Sequence, residues 1–130
     1  MQARVHWQGE VSFRAESGTG HSVVMDGPPD HGGLDRGPRP MELMLMGMGG
    51  CTSFDVMTML KKSRQNVTRC EAVLDAERAD AVPAVFTKIH VHFIVEGIGL
   101  NEAHVKRAVM LSAEKYCSAS IMLQAGGVEV

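Results

Sequence analysis

Apolar and polar residues alternate in two short stretches at the start of the chain, residues 3–8 and 11–16. A period of two residues is typical of a β-strand with one buried face. Gly9 and Glu10 separate the two stretches as a hairpin turn would, and a polar stretch at 17–20 precedes a third short strand over 21–26. The pattern therefore predicts a three-stranded antiparallel meander.

A loop rich in glycine and proline follows over residues 27–40 and excludes regular structure there. A loop of this length in a small chain is either functional or disordered. The next stretch predicts a helix from about 40 to 62, because Pro40 suits the first turn, Glu42 complements the helix dipole, and lysines occupy the last turns. Its centre is apolar on nearly every side, so we expect it to be buried all round.

Three glycines interrupt this helical segment at Gly47, Gly49 and Gly50. Each glycine inside a helix costs about 1 kcal/mol relative to alanine. Two explanations are open: another helix or strand approaches very closely, or the helix breaks or kinks near Gly49 and Gly50.

The second half of the chain predicts two longer strands, over 67–77 and 86–97. In the latter, one face carries Ile89, Val91, Phe93 and Val95, and the other carries Lys88, His90 and His92. A helix over 101–116 has Asn101 as its N-cap and a buried stripe of Ala103, Val105, Ala108, Val109 and Leu111. A short helical segment begins at 117, and residues 128–130 form a last strand or its stub. The order is βββ-α-ββ-αα-β, an α+β fold in a single domain over 1–130.

Charge and composition exclude several partners. The chain has 13 basic and 15 acidic side chains, a net charge of −2 and 5% aromatic residues, so neither nucleic acid nor an anionic membrane is an expected partner. The first ten residues lack an apolar signal core, and the apolar run from Met41 to Met48 is too short to span a bilayer. We therefore expect a cytoplasmic protein.

The three cysteines are Cys51, Cys70 and Cys117, an odd and sparse set that is not a disulfide scaffold. Cys51 ends the most apolar segment, where it is either a small core residue or a reactive thiol. Cys117 stands where a helix begins, and the positive end of a helix dipole lowers the pKa of a thiol. Cys70 alternates with charged neighbours on a strand and is expected to be an inert core residue.

Metal ligation has only a weak signal. His90 and His92 form an H-x-H pair that resembles half of a metal site, but no third ligand is evident. The 10 methionines cluster irregularly on the apolar helix and are better explained by core filling than by copper binding. We expect no metal site.

The two cysteine segments, "RPMELMLMGMGGCTSFDVM" and "EKYCSASIML", together resemble the signature segments of the OsmC/Ohr family of organic hydroperoxide reductases. The element order matches that family over the whole chain. The stretches "MQARVHW", "TGHSVVMDG" and "FTKIHVHFIV" look closest to the YhfA-type subgroup. The resemblance implies an OsmC-like fold with a long buried central helix, in an intertwined homodimer whose central helices lie inside and whose reactive cysteines lie at the interface.

The same resemblance implies a thiol peroxidase of the oxidative stress response. Cys51 would attack the O–O bond of an organic hydroperoxide, and Cys117 would resolve the resulting sulfenic acid as a disulfide. An external dithiol, either dihydrolipoyl or a small thiol, would reduce that disulfide without a bound cofactor. The polar residues after Cys51, namely Thr52, Ser53 and Asp55, would face the site or its rim.

The sequence also departs from the family pattern. The acid expected ten positions before the first cysteine is replaced by Met41, and Glu42 stands one step on, rotated by about 100° on a helix. The family's thiolate-holding arginine has no motif match here. Possible supporting residues are Glu42, Arg39, Arg36 and Arg14. The departure leaves open a non-catalytic protein of the same fold that senses redox state or binds a hydrophobic ligand.

Overall fold

A computed structural model describes the whole chain, residues 1–130. The chain forms two compact units, Met1–Met44 and Leu45–Val130. The first unit holds three short strands and a long loop, and the second holds two long strands and most of the helical residues. The single domain expected over residues 1–130 stays a prediction.

The first unit contains the predicted antiparallel meander. Its strands are β1 (Ala3–Trp7), β2 (Phe13–Ser17) and β3 (Ser22–Met25), hydrogen-bonded in that order. Gly9, with φ of 101°, and Glu10, with φ of 49°, take left-handed conformations in the first turn. The indole of Trp7 donates a hydrogen bond of 2.9 Å to the carbonyl of Glu10, which closes that turn.

The loop after β3 folds around the carboxylate of Asp26. One carboxylate oxygen accepts the backbone N–H of Gly27 at 2.8 Å, and the other accepts those of Leu34 and Arg36 at 3.2 Å each. The Asp26 side chain is buried, and its backbone N–H donates to the carbonyl of Pro38 at 3.2 Å. A loop without regular structure is thereby tied back to the strand that precedes it, apart from one 3₁₀ turn at Pro29–His31.

Two glycines allow this loop to pack backbone against backbone. A Cβ atom on Gly33 would lie 1.7 Å from the carbonyl oxygen of Gly27, and one on Gly37 would lie 2.1 Å from that of Val24. No side chain fits at either position.

The central helix α1 runs without a break from Pro40 to Lys62. At its start, the Glu42 carboxylate accepts the backbone N–H of Arg39 at 3.0 Å, a capping contact. The expectation of burial on all sides is wrong for the single chain, because Met46 is 59% exposed and Phe54 73% exposed. One chain supplies strands and helices for only one side of α1, which is the side that carries Met48, Gly49, Thr52, Val56 and Leu60.

The second unit has two long antiparallel strands, β4 (Asn66–Arg78) and β5 (Phe86–Ile98). The alternation predicted for β5 is confirmed, since Ile89 is buried whereas His90 and His92 are exposed. A Cβ atom on Gly49 would lie 2.8 Å from the Cδ1 atom of Leu74, so close approach explains that glycine. Nothing lies within 4 Å of the same position on Gly47 or Gly50.

The predicted helix over 101–116 is shorter than expected. Helix α2 runs from Glu102 to Leu111, and the Asn101 side chain caps it by accepting the N–H of Ala103 at 3.0 Å. A π-helical turn over Ser112–Tyr116 then leads to α3, Ser118–Ala125. Ala103 is exposed rather than part of the buried stripe, because it lies in the first turn, at the edge of the core that Val56, Leu60 and Ala108 form.

The predicted last strand is only a stub. Glu129 exchanges two backbone hydrogen bonds with β5, one with Thr87 at 3.0 Å and one with Ile89 at 2.7 Å. They form an isolated parallel bridge between Lys88 and Glu129.

By length and composition, α1 is also long and apolar enough to cross a membrane, with a mean hydropathy of 1.3 over 18 residues. The central helices of soluble proteins pass the same test, so this property is a weak indication of membrane insertion.

The Asp26 contacts generate a prediction about pH and stability. Burial raises the pKa of this carboxyl, but the N–H donors of Arg36, Gly27 and Leu34 and the charge of Arg36 lower it more in sum, and the pKa is lowered. A lowered folded-state pKa stabilises the fold above the ordinary pKa, and that stabilisation is lost as the pH falls through the folded value. Asp26→Asn should therefore lower the unfolding free energy near neutral pH, and the deficit should shrink below about pH 4.

Urea unfolding of wild type and Asp26→Asn at several pH values measures this deficit. Asp80→Asn, a change at an exposed loop carboxylate, serves as the control. A deficit of the same size at all pH values would contradict the assigned role of the carboxylate charge.

Candidate active site

Two thiols and one carboxylate that lie far apart in sequence meet in the second unit. The Sγ atoms of Cys51 and Cys117 and a carboxylate oxygen of Asp55 all lie within 4.8 Å of one another. Cys51 and Asp55 are half-buried, and Cys117 is fully buried. The structure thus brings together the two cysteines that the sequence singles out and Asp55 of α1, which the family resemblance places at the site or its rim.

Helix α1 positions Cys51 and Asp55. Residues four apart on a helix lie one turn apart on the same face, so the carboxylate stands beside the thiol on one side of α1. Phe54 projects from another side of the helix and is exposed.

The π-helical turn between α2 and α3 positions Cys117. Its backbone N–H donates to the carbonyl of Ser112 at 2.9 Å, which closes the turn. Cys117 is the N-cap of α3, and its sulfur accepts the backbone N–H of Ser120 at 3.4 Å. π-helical turns are frequent at functional sites, and this one aims a side chain inward that a continuous helix would rotate elsewhere.

A buried polar bridge joins the two parts of the site. The hydroxyl oxygens of Thr52 and Ser112 lie 2.7 Å apart, and both side chains are buried. The Ser112 hydroxyl also lies 3.3 Å from the Thr52 carbonyl and 3.3 Å from the Oδ2 atom of Asp55. These contacts hold α1 against the turn that carries Cys117.

Burial raises the pKa of the Cys117 thiol to about 11. The N–H groups of Ser120 and Ala119 oppose this rise, and a hydrogen bond and charge interaction with Cys51 reinforce it. The expectation that the start of a helix lowers this pKa is therefore wrong, because removal of the sulfur from water outweighs the two N–H donors. Cys117 is a thiol, not a thiolate, near neutral pH.

Cys70 lies outside this cluster, half-buried on β4. Burial raises the pKa of its thiol as well. Cys70 is thus less buried than the predicted core position, and its inert role stays a prediction.

The four predicted supporting residues lie in the first unit, and their role toward Cys51 stays a prediction. The guanidinium of Arg39 pairs with Asp35. The Arg14 guanidinium donates to the Ser22 hydroxyl at 3.2 Å. The backbone N–H of Arg36 donates to Asp26, and the carboxylate of Glu42 caps α1.

A small cavity of about 120 Å³ adjoins the site. Thr52 and Ser120, which contact the cysteine-bearing segments, line it together with His90. Most of the remaining lining is apolar and comes from Met48, Ile89, Val91, Phe93 and Val109. Any molecule held there would meet hydrocarbon on most sides.

Sequence reasoning placed Thr52, Ser53 and Asp55 at the site or its rim, and the structure places Thr52 and Asp55 there. Ser53 lines a separate groove with Phe54 and Met57. Ser112 was missed, because nothing in its local sequence distinguishes it from a surface serine. Its position one turn before Cys117 becomes informative only once the π-helical turn is known.

The fold is that of the OsmC-like proteins, and the chain belongs to that family. The family's sequence model matches residues 31–130. Protein YhfA of Escherichia coli K12 is 50% identical over 124 residues, which cover 95% of this chain and 90% of YhfA.

Solved structures show the same fold. A hypothetical protein from Aquifex aeolicus VF5 superposes with a TM-score of 0.84 at 28% identity, covering 98% of this chain and 89% of the other. An organic hydroperoxide resistance protein OsmC from Legionella pneumophila superposes with a TM-score of 0.73 at 18% identity, covering 99% and 91% of the two chains. The predicted family and α+β class are confirmed.

The causes of the high Cys117 pKa generate a second prediction. Replacing Cys51 by alanine removes its hydrogen bond and charge, so the pKa of Cys117 should fall from about 11 while staying above the ordinary value, because burial remains. Carbon-13 NMR titration of Cβ-labelled cysteine follows each thiol separately. Cys70→Ala is the matched control and should leave the Cys117 titration unchanged; a Cys117 pKa that does not respond to Cys51→Ala would contradict the contact.

Proposed function

We propose that the protein is a thiol-dependent peroxidase that reduces organic hydroperoxides. The observation that carries the proposal is the convergence of two thiols and a carboxylate within 4.8 Å, in a member of the OsmC-like family. The similarity in fold to a protein called organic hydroperoxide resistance protein OsmC supports the substrate class.

The different environments of the two thiols support distinct roles. Cys51 is the more accessible sulfur, so a peroxide reaches it first. Cys117 is fully buried and protonated near neutral pH, which makes it a poor first nucleophile. Cys51 is therefore assigned the attack on the peroxide, and Cys117 the resolution of its product.

The proposed reaction oxidises the protein in two steps, and an external reductant then restores it. The Cys51 thiolate attacks the outer oxygen of the hydroperoxide, the O–O bond breaks, and the alkoxide leaves and is protonated to an alcohol. The Cys117 sulfur then attacks the Cys51 sulfenic acid, which forms the disulfide and releases water. An external dithiol, dihydrolipoyl or a small thiol, reduces the disulfide by exchange.

The separation of the sulfurs is compatible with this disulfide. A disulfide bond is about 2.05 Å long, and the two Sγ atoms lie within 4.8 Å. Side-chain rotation with a small backbone adjustment closes a gap of this size. The apolar cavity beside Thr52 and Ser120 suits the hydrocarbon part of an organic peroxide better than it suits hydrogen peroxide.

We also propose that the protein forms a homodimer through α1. Residues Met46, Gly47, Gly50 and Phe54 form an exposed apolar stripe along α1, at the spacing of one helix face. Exposed apolar patches of this kind mark interaction sites. A second copy packed on the stripe would shield the apolar side of α1 from water and would occupy the open space at Gly47 and Gly50. Such a dimer is consistent with the proposed cytoplasmic location.

The activity test compares single cysteine variants. Wild type should consume cumene hydroperoxide with dihydrolipoamide as reductant, whereas Cys51→Ser should show only the background rate. Cys117→Ser should stop after the first step and carry a sulfenic acid on Cys51, readable as a mass increase of about 16 Da.

Cys70→Ser is the matched control and should retain the wild-type rate, since Cys70 lies outside the cluster. Equal rates for wild type and Cys51→Ser would reject the peroxidase. A Cys51–Cys117 disulfide that forms slowly without turnover would instead support the non-catalytic redox-sensing alternative.

The dimer has its own test. Sedimentation velocity should show wild type as a dimer, and Phe54→Glu should shift it to monomer because a charge would enter the buried stripe. Val82→Glu changes an equally apolar, fully exposed residue outside the stripe and should leave the dimer intact. A monomeric wild type, or an unchanged dimer in Phe54→Glu, would contradict the proposed interface.

A further inference from the structure

We propose that Asp55 is the proton-transfer residue of the resolving step: its carboxylate takes the proton from the Cys117 thiol and delivers it to the hydroxide that leaves Cys51. This inference rests on the proposed function and goes beyond it, because it assigns the acid–base work that disulfide formation requires. The proton acceptor in this step is Asp55, one helical turn after Cys51, and not Glu42, the acid predicted to support the thiolate.

The chemistry of Cys117 creates the need for a base. A sulfur attacks another sulfur as thiolate. A buried thiol with a pKa of about 11 is ionised in only about one molecule in ten thousand near pH 7. Unaided attack would therefore be slow, and a nearby proton acceptor removes this obstacle.

The geometry places one carboxylate in this position. An Asp55 oxygen lies within 4.8 Å of both sulfurs, a distance that one bridging water or a small side-chain rotation closes. The other polar side chains bonded around the cluster belong to Thr52, Ser112 and Ser120, and their hydroxyls are not bases at neutral pH. His90 borders the adjoining cavity but is exposed on β5.

A partly buried hydrogen bond orients the carboxylate. The Ser112 hydroxyl, fully buried, lies 3.3 Å from the Oδ2 atom of Asp55. Donation to that oxygen leaves the Oδ1 atom free to carry the transferred proton. The Ser112 carbonyl also accepts the backbone N–H of Cys117, which closes the π-helical turn. Ser112 therefore positions both the proposed base, Asp55, and the thiol of Cys117.

The step balances without another reactant. The Cys117 S–H proton moves to Asp55 as the sulfur attacks Cys51, the S–O bond of the sulfenic acid breaks, and the proton passes from Asp55 to the departing hydroxide. The products are the disulfide, one water molecule and the regenerated carboxylate.

The wild-type protein provides the first test. After one equivalent of cumene hydroperoxide, quenched samples analysed by mass spectrometry give the rate at which the sulfenic acid becomes disulfide. If Asp55 takes the proton, the rate does not depend on ionisation of Cys117 by solvent and should be nearly flat between pH 6 and 9. A rate that rises about tenfold per pH unit would show that solvent ionises Cys117 unaided and would overturn the proposal.

Asp55→Asn provides the second test, because the amide keeps the shape and an oxygen for Ser112 but cannot accept the proton. Resolution should slow by about a hundredfold or more at pH 7, while formation of the sulfenic acid changes little. The deficit should shrink by about tenfold per unit of rising pH, as Cys117 ionises unaided. Asp80→Asn is the matched control; an equal rate for Asp55→Asn, or a pH-independent deficit, would reject a proton-transfer role.

A peroxide-free assay separates this inference from the proposed function. In a Cys70→Ala background, Cys51 is converted to its mixed disulfide with 5-thio-2-nitrobenzoate, and release of the coloured thiol reports attack by Cys117. A release rate that is flat with pH in the Asp55 parent and about a hundredfold slower in Asp55→Asn supports the proton transfer even if no hydroperoxide oxidises Cys51. Release that rises about tenfold per pH unit and is indifferent to Asp55→Asn overturns it even if peroxidase activity is present.

Discussion

The buried hydrogen bond between Thr52 and Ser112 is the contact on which the site depends. Their oxygens are 2.7 Å apart and shielded from water, where a lost partner leaves an unsatisfied polar group. The bond fixes the distance between a long regular helix and an irregular turn. Ser112 also contacts the Asp55 carboxylate and the backbone N–H of Cys117. The distance between the helix and the turn therefore sets the positions of the groups proposed to react.

Burial of the Cys117 sulfur has two effects on the proposed reaction. It keeps the Cys117 sulfur protonated, which separates the roles of two chemically identical side chains. It also makes the second sulfur dependent on a neighbour for its proton. In the proposed mechanism, the need for the Asp55 carboxylate follows from the burial of Cys117.

Local patterns predicted the elements well, and tertiary contacts account for what they missed. The period-two alternation of β5 needs only neighbours in sequence to be recognised, and Ile89 and His90 lie on the expected faces. The pKa of Cys117 depends on how much protein covers it, which no spacing reveals. For Phe54, the sequence shows apolarity but not whether the same chain or another copy covers the helix.

The high pKa of Cys117 also governs how the resting protein behaves among small disulfides. Exchange with oxidised glutathione requires a thiolate, and this sulfur is both protonated and sealed from solvent. Direct exchange of a small disulfide with Cys117 is therefore slow. Oxidation of the cysteine pair by a small disulfide would therefore have to begin at Cys51, the more accessible sulfur.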